Sequence, residues 1–358
     1  MVVPQALARR LAAGPRSRPD APRRILIVHH LLLGDTLCLT PLVAKCRERH
    51  PQAEIALTVP EAAAPLYARR PYGVRPLAFD PERPASVRAL LGEPRFDLAL
   101  VPGENRFAWI AHAVGAGWVA GFDGDRPAYK NRLLDERVPF PAWPWNWADV
   151  AARLVPGAPP RPYAPADWPA PDCAPFEPPS RPYAVLHVGA RNPLRHWQPE
   201  NWRALSLALE QRGLEVVWNG GRGDAALEAA IDPDARRRNY AGRLDLAQLW
   251  HLLGGARLLV CPDTGVAHLG RIVGVPTVTL FGPGSVALSG AGDFWARSPY
   301  RAVTVEEVPC RDQALVFKRE IPGMRRCVRF APECTNNICM QGIGVEPVLG
   351  AAQELLAG

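Results

Sequence analysis

The strongest constraint on how this chain folds is a pattern stated twice: a short apolar run closes on glycine, and the spacing of apolar residues then turns helical. The first instance is Arg24-Ile25-Leu26-Ile27-Val28-His29-His30, a buried strand running into a loop at Gly34-Asp35. From Thr36 the apolar residues Leu37, Leu39, Leu42 and Val43 follow a helical spacing that ends near His50-Pro51. Strands at residues 54–59 and 96–101 continue the series. A stretch dense in proline, residues 156–182, breaks it and reads as a linker. The pattern then restarts with Tyr183-Ala184-Val185-Leu186-His187-Val188-Gly189. It runs through a helix at 199–212, a strand at 215–218 closing on Gly220-Gly221, a helix at 244–253, a strand at 257–261, a helix at 266–273 and a strand at 277–281. Such alternation is the signature of parallel sheets covered on both faces. The chain is therefore expected to be α/β, with two Rossmann-like doubly wound domains facing a central cleft, where sheets of this kind bind ligands.

A length of 358 residues fits two domains better than one. The expected division is a basic leader over 1–23, an N-terminal domain over 24–165, a linker over 166–182, a C-terminal domain over 183–305, and a cysteine-containing tail with a terminal helix over 306–358. No apolar run approaches the roughly 20 residues that span a bilayer, and the start lacks the features of a signal peptide, so the cytoplasm is the expected compartment. The formal charge of +7 suits an anionic partner without choosing one. Arg9, Arg10, Arg16, Arg18, Arg23 and Arg24 crowd the start against one acid, Asp20. They read as a solvated leader, or as a peripheral contact with anionic lipid at the inner membrane.

The segment Cys261-Pro262-Asp263-Thr264-Gly265-Val266-Ala267-His268 lies between a strand and a helix. Thr264 and Gly265 there present backbone N–H groups at a helix start, which favours phosphate oxygens; an Asp or Thr acting as a plain N-cap accounts for the same residues. The chain resembles glycosyltransferase family 9, the lipopolysaccharide heptosyltransferases, in this segment and in five others. These are 25–42 with Gly34-Asp35-Thr36 and Thr40-Pro41; 186–202 with Arg195-His196-Trp197; Gly220-Gly221; Asn239-Tyr240-Ala241-Gly242; and 276–283.

The resemblance implies a GT-B fold, an ADP-heptose donor, a lipopolysaccharide or other glycan acceptor, and inverting transfer with no catalytic metal. It implies Asp35 as the general base on the acceptor hydroxyl, Asp263 and His268 beside the donor sugar, and Thr264 and Gly265 as the pyrophosphate cradle. Arg195 stands near where the family places a lysine on the donor phosphate, with Arg191 as an alternative. Gly221 and Asp224 fall where the family binds the nucleoside, and a surface turn explains them equally well.

Cys310, Cys327, Cys334 and Cys339 cluster near the C-terminus with 16, 6 and 4 residues between them, a spacing adequate for a four-thiolate structural iron or zinc site. The tail resembles that of autotransporter heptosyltransferases, which implies Ser or Thr hydroxyls of a protein as a second class of acceptor. Asp123-Gly124-Asp125 reads as a turn rather than a metal motif. Trp143, Trp145 and Trp147 read as packing under the linker, or as a platform for acceptor sugar. A dehydrogenase is disfavoured because Leu32-Leu33-Gly34-Asp35 lacks the glycine triplet that lets a backbone approach a dinucleotide. A binding protein without catalysis leaves Asp35 and the phosphate loop unexplained, and no nucleic-acid partner is expected.

Overall fold

The computed structural model describes residues 2–11, 17–334 and 336–358. Arg16 and the side chains of Arg9 and Arg10 lie outside the described residues. The chain forms two compact units, one of Met1–Pro162, Ala166–Pro169 and Ala314–Met324, the other of Tyr163–Pro165, Ala170–Gln313 and Arg325–Gly358.

The first unit is built on β1 (Arg24–Ile27), β2 (Glu54–Val59), β3 (Val74–Ala78), β4 (Leu98–Val101), β5 (Trp118–Phe122) and β6 (Glu136–Val138). Their order is β3-β2-β1-β4-β5-β6, all parallel. The inner strands are runs of Ile, Leu, Val and Ala with no exposed face, as a sheet covered by helices on both sides requires. Leu26, Ala99, Phe96, Phe107 and Ile110 belong to one buried cluster of this unit. Strand order reverses between β1 and β4, and the chain leaving β1 at that switch point leads into the short helix Leu33–Leu37, which carries Asp35.

The N-terminal segment is more than a solvated leader. Val2–Leu11 is a helix lying against the helix Ala108–Val114, with Ala6 buried and Gln5 Nε2 donating to the Ala113 carbonyl at 3.0 Å. Further along, Arg18 pairs with Glu136 and Arg24 with Glu54.

The second unit holds β7 (Tyr183–His187), β8 (Glu215–Asn219), β9 (Leu258–Pro262), β10 (Thr277–Phe281) and β11 (Tyr300–Thr304) in the parallel order β11-β10-β9-β7-β8. Trp197, Trp202 and Trp218 pack with Leu186, Val260 and Leu280. Val348, Leu349 and Ala352 of the terminal helix Val345–Ala357 complete the same cluster.

The segment Ala314–Met324, read in the sequence as part of the tail, groups with the first unit. It contains a hairpin of β12 (Leu315–Val316) and β13 (Arg319–Glu320) joined by Phe317 and Lys318, both at positive φ. Two bulky residues are poor choices for such a turn. Tertiary contacts hold it: Phe317 lies 4.5 Å from Trp147 by ring centroids, and Arg319 is driven into the unit's interior. The tryptophan-rich segment thus packs around this hairpin. Trp143 and Trp145 meet edge to face, and Trp145 stacks on Phe140. Asp123-Gly124-Asp125 is a turn in the same region. Asp125 is buried and accepts from the Asn105 N–H at 2.6 Å.

Candidate active site

In the second unit, β9 is a fully buried strand that delivers Asp263 at its C-terminal end, and the next residue, Thr264, starts the nine-residue helix Gly265–Val273. Thr264 is extended and its side chain does not cap the helix. Its hydroxyl is buried with no hydrogen-bond partner. The first N–H groups of any helix lack an intrahelical acceptor, so donors and a positive dipole end converge there.

Arg195, in a short turn after β7, reaches this point. Its guanidinium donates to the Asp263 carbonyl and pairs with the Asp263 carboxylate at 3.3 Å. Gly284, after β10, passes so close that a β-carbon there would collide with that carboxylate. His268 is buried one turn into the helix, where its Nδ1 meets Arg271. Burial, then the cations of Arg271 and Arg195, hold its pKa well below the ordinary histidine range. Arg195, Asp263, Thr264, Gly265 and His268 are thus gathered around one strand end. Arg191 is exposed and outside this network.

At the neighbouring strand end, β8 leads into Gly220-Gly221. The Asp224 carboxylate accepts from the Gly221 N–H at 2.6 Å and lies where a β-carbon on Gly189 would sit. Asp224 and Gly221 therefore belong to the mouth formed by β7 and β8. Sequence reasoning missed Glu228 beneath them. One of its carboxylate oxygens accepts from Asn239 at 2.9 Å, and the other is buried without a partner. The pairing of Asn239, in a quoted motif, with an acid on the adjacent helix was the available signal. Asp35 belongs to the other unit, half-buried in the first turn of the helix Leu33–Leu37.

Among the described residues no group of three or more His, Cys, Asp or Glu side chains is placed to hold a metal. Cys310, Cys327 and Cys339 lie near enough to Arg311 to act on its charge, and Cys310 and Cys327 act likewise on Cys339; the Arg311 guanidinium bonds the carbonyls of Phe281, Gly282 and Val305. In the tail Val316, Ile321 and Met324 are buried, as are Met340 and Ile343 in the core of the second unit.

The model of glycosyltransferase family 9 (heptosyltransferase) matches residues 85–302. The chain belongs to that family. This family 9 glycosyltransferase is 29% identical over 304 residues to lipopolysaccharide heptosyltransferase 1 of Pseudomonas aeruginosa, an alignment covering 75% of this chain and 81% of that one. Among solved structures it is similar to the E. coli ADP-heptose lipopolysaccharide heptosyltransferase II, with a TM-score of 0.68 and 22% identity over 93% of this chain and 98% of the other. It is also similar to TibC, an iron-containing dodecameric glycosyltransferase of enterotoxigenic E. coli, with a TM-score of 0.57 and 13% identity over 96% and 80% of the two chains. The family 9 enzyme thus has the GT-B fold, with two Rossmann-like α/β domains. Among its described residues no helix is long and apolar enough to cross a membrane.

Proposed function

We propose that this glycosyltransferase moves a heptose from ADP-heptose to a hydroxyl of a lipopolysaccharide core glycan, inverting the anomeric centre and using no catalytic metal. The observation that carries the reading is the strand end where Arg195, the partnerless Thr264 hydroxyl and the first-turn N–H groups of Gly265–Val273 converge. That set offers positive potential and donors to a diphosphate, which becomes the leaving group. Asp263 and His268 stand beside it for the sugar, and Gly221 and Asp224 for the nucleoside. Asp35 takes the proton of the acceptor hydroxyl as its oxygen attacks the anomeric carbon.

A peripheral contact with anionic membrane rests on the basic start, Arg9, Arg10, Arg16, Arg18, Arg23 and Arg24, of which Arg18 and Arg24 pair with Glu136 and Glu54. The test is incubation with ADP-heptose and either deacylated core oligosaccharide or an autotransporter fragment, after a thermal-shift comparison of ADP, GDP and UDP. Heptosylated oligosaccharide is the expected product. Transfer to the protein fragment alone changes the acceptor, and stabilisation by UDP but not ADP changes the donor.

Arg195→Ala is expected to weaken ADP and ADP-sugar binding far more than AMP binding, because the lost cation faces the second phosphate. Calorimetric titration of the three ligands measures this. A uniform loss would place the arginine elsewhere, and retention of most affinity by Arg195→Lys would show that a point charge suffices.

The finer reading of the tail, an iron or zinc on Cys310, Cys327, Cys334 and Cys339, draws support from the iron of TibC. The packing of the tail argues the other way. Cys327→Ser should shift unfolding stability by less than about 1 kcal/mol. Release of about one equivalent of iron or zinc on making that substitution, with a larger loss, would restore the metal.

A further inference from the structure

Resting on the assignment of β7 and β8 to the nucleoside and of β9 to the diphosphate, the strand ends of the second unit form a row that continues past the phosphates. The sheet order β11-β10-β9-β7-β8 places β10 and β11 next in that row. At the ends of these two strands lies a cavity of about 550 Å³, within the range of roughly 300–1,000 Å³ that takes small ligands. Gly284 joins it to the phosphate site. It lines the cavity and packs so closely on Asp263 that a β-carbon there would lie 2.4 Å from the carboxylate Oδ2. All of these residues belong to the second unit.

The walls of the cavity are clamped. Arg311 donates to the carbonyls of Phe281 at 3.0 Å, Gly282 at 3.0 Å and Val305 at 2.7 Å, and to the Thr304 hydroxyl at 2.9 Å, so one guanidinium ties together the exits of β10 and β11. The Ser285 hydroxyl accepts from the Leu288 N–H at 3.4 Å and keeps its own proton to donate. Glu306, Glu307 and Arg325 line the same space. All three are exposed, and among the described residues none of them enters an ion pair. Two carboxylates and a guanidinium around one space, not paired with one another, leave their acceptors and donors to a guest.

The carboxylates repel a further phosphate, and the guanidinium opposes a metal cation. A neutral polyol suits both, because each hydroxyl donates to a carboxylate and accepts from a guanidinium or a serine O–H. In a nucleotide sugar the group beyond the second phosphate is the sugar, and with its ring beside Asp263 the part that extends past Gly284 is its exocyclic carbons. We propose that this cavity takes the exocyclic arm of the donor sugar, and that Glu306, Glu307 and Arg325 set donor specificity by binding its hydroxyls. A heptose carries one hydroxylated carbon more on that arm than a hexose does, and this cavity is where the second unit tells them apart.

The test is calorimetric titration of the full-length protein with ADP, ADP-heptose and ADP-mannose, whose arm is one hydroxylated carbon shorter. Wild type should bind ADP-heptose about tenfold more tightly than ADP-mannose, the value of one hydrogen bond to a charged group. The double substitution Glu306→Gln with Glu307→Gln, and separately Arg325→Met, should each remove about tenfold of the ADP-heptose affinity and most of that preference, while ADP affinity changes by less than about twofold. The three side chains are exposed, so the variants should fold as wild type does.

A wild type that binds the two ADP-sugars equally overturns the proposal without any variant. So do variants that keep the full preference, or that lose ADP and ADP-heptose in parallel. Stabilisation by UDP and not by ADP overturns the functional reading instead, and UDP-glucose against UDP-xylose, which lacks the exocyclic carbon, then decides this inference by the same comparison. Binding of no nucleotide sugar overturns both.

Discussion

Asp35→Asn is expected to lower the rate of transfer by about 100-fold to 10,000-fold, the usual cost of removing a general base, while leaving ADP affinity nearly unchanged. The substitution keeps the size and polarity of the side chain and removes only its capacity to accept a proton. Asp35 sits in the first helical turn after β1 in the first unit, and the residues assigned to the nucleotide all belong to the second. A group that acts on the acceptor hydroxyl should therefore show its loss in kcat and not in the affinity for the donor's leaving group. Rate measurements at saturating donor, with calorimetric ADP binding on the same preparation, read the two separately. Activity within tenfold of wild type, or a parallel loss of ADP binding, would take the base assignment away from Asp35.

The candidate site was legible where its chemistry is local. A buried strand followed by Asp-Thr-Gly and an amphipathic helix needs only neighbouring residues to be recognised, and β9 with Gly265–Val273 forms within a residue of where the apolar spacing places it. The inner strands β1, β2, β4, β7, β9 and β10 were legible for the same reason, being apolar on both faces.

Among the strands of the two main sheets, sequence reasoning left out β3, β5, β6 and β11, of which β3, β6 and β11 lie at sheet edges. β3 carries Arg75 and Pro76, β6 is a three-residue edge strand, β11 alternates around Arg301 at the far edge, and β5 contains Gly121. An edge strand covers half as much apolar surface, so its sequence is free to look like a loop.

Arg271 and Arg319 were illegible for a different reason. In a basic chain an arginine reads as surface charge, and burial depends on carbonyls brought from elsewhere, Ser289 and Gly290 in one case and Gly103, Phe122 and Asp123 in the other. In the tail a few scattered apolar residues, Val316, Ile321, Met324 and Met340, are deeply buried, which cysteine spacing alone does not show.

Arg319→Met is expected to destabilise the protein by about 3–5 kcal/mol, the range seen when one partner of a buried charged network is removed. Arg319 is 1% exposed, and its guanidinium donates to the carbonyls of Asp123 at 2.8 Å, Gly103 at 2.9 Å, Phe317 at 3.0 Å and Phe122 at 2.8 Å, and to Oδ1 of Asn105 at 3.0 Å. Burial lowers its pKa to about 10, with Asp125, Asp123 and Glu104 opposing that shift, so it remains charged at neutral pH. Methionine fills much of the same space but donates nothing, leaving several buried carbonyls with one partner fewer. Some, such as that of Phe122, keep a second donor in Asn105 Nδ2, which is why the loss should fall short of the sum of five bonds. The residues it gathers follow β4 and β5 and belong to the first unit, together with the hairpin that carries Arg319 itself. The damage should therefore appear as earlier unfolding and as proteolytic cutting within residues 314–324, while ADP still raises the melting temperature of what remains folded. Arg319→Lys should fall between, because an ammonium keeps the charge but cannot span four carbonyls with a planar fork. Urea unfolding of the three proteins measures the order, and an Arg319→Met variant within 1 kcal/mol of wild type would show that the hairpin is held by Phe317 and Ile321 packing rather than by the arginine.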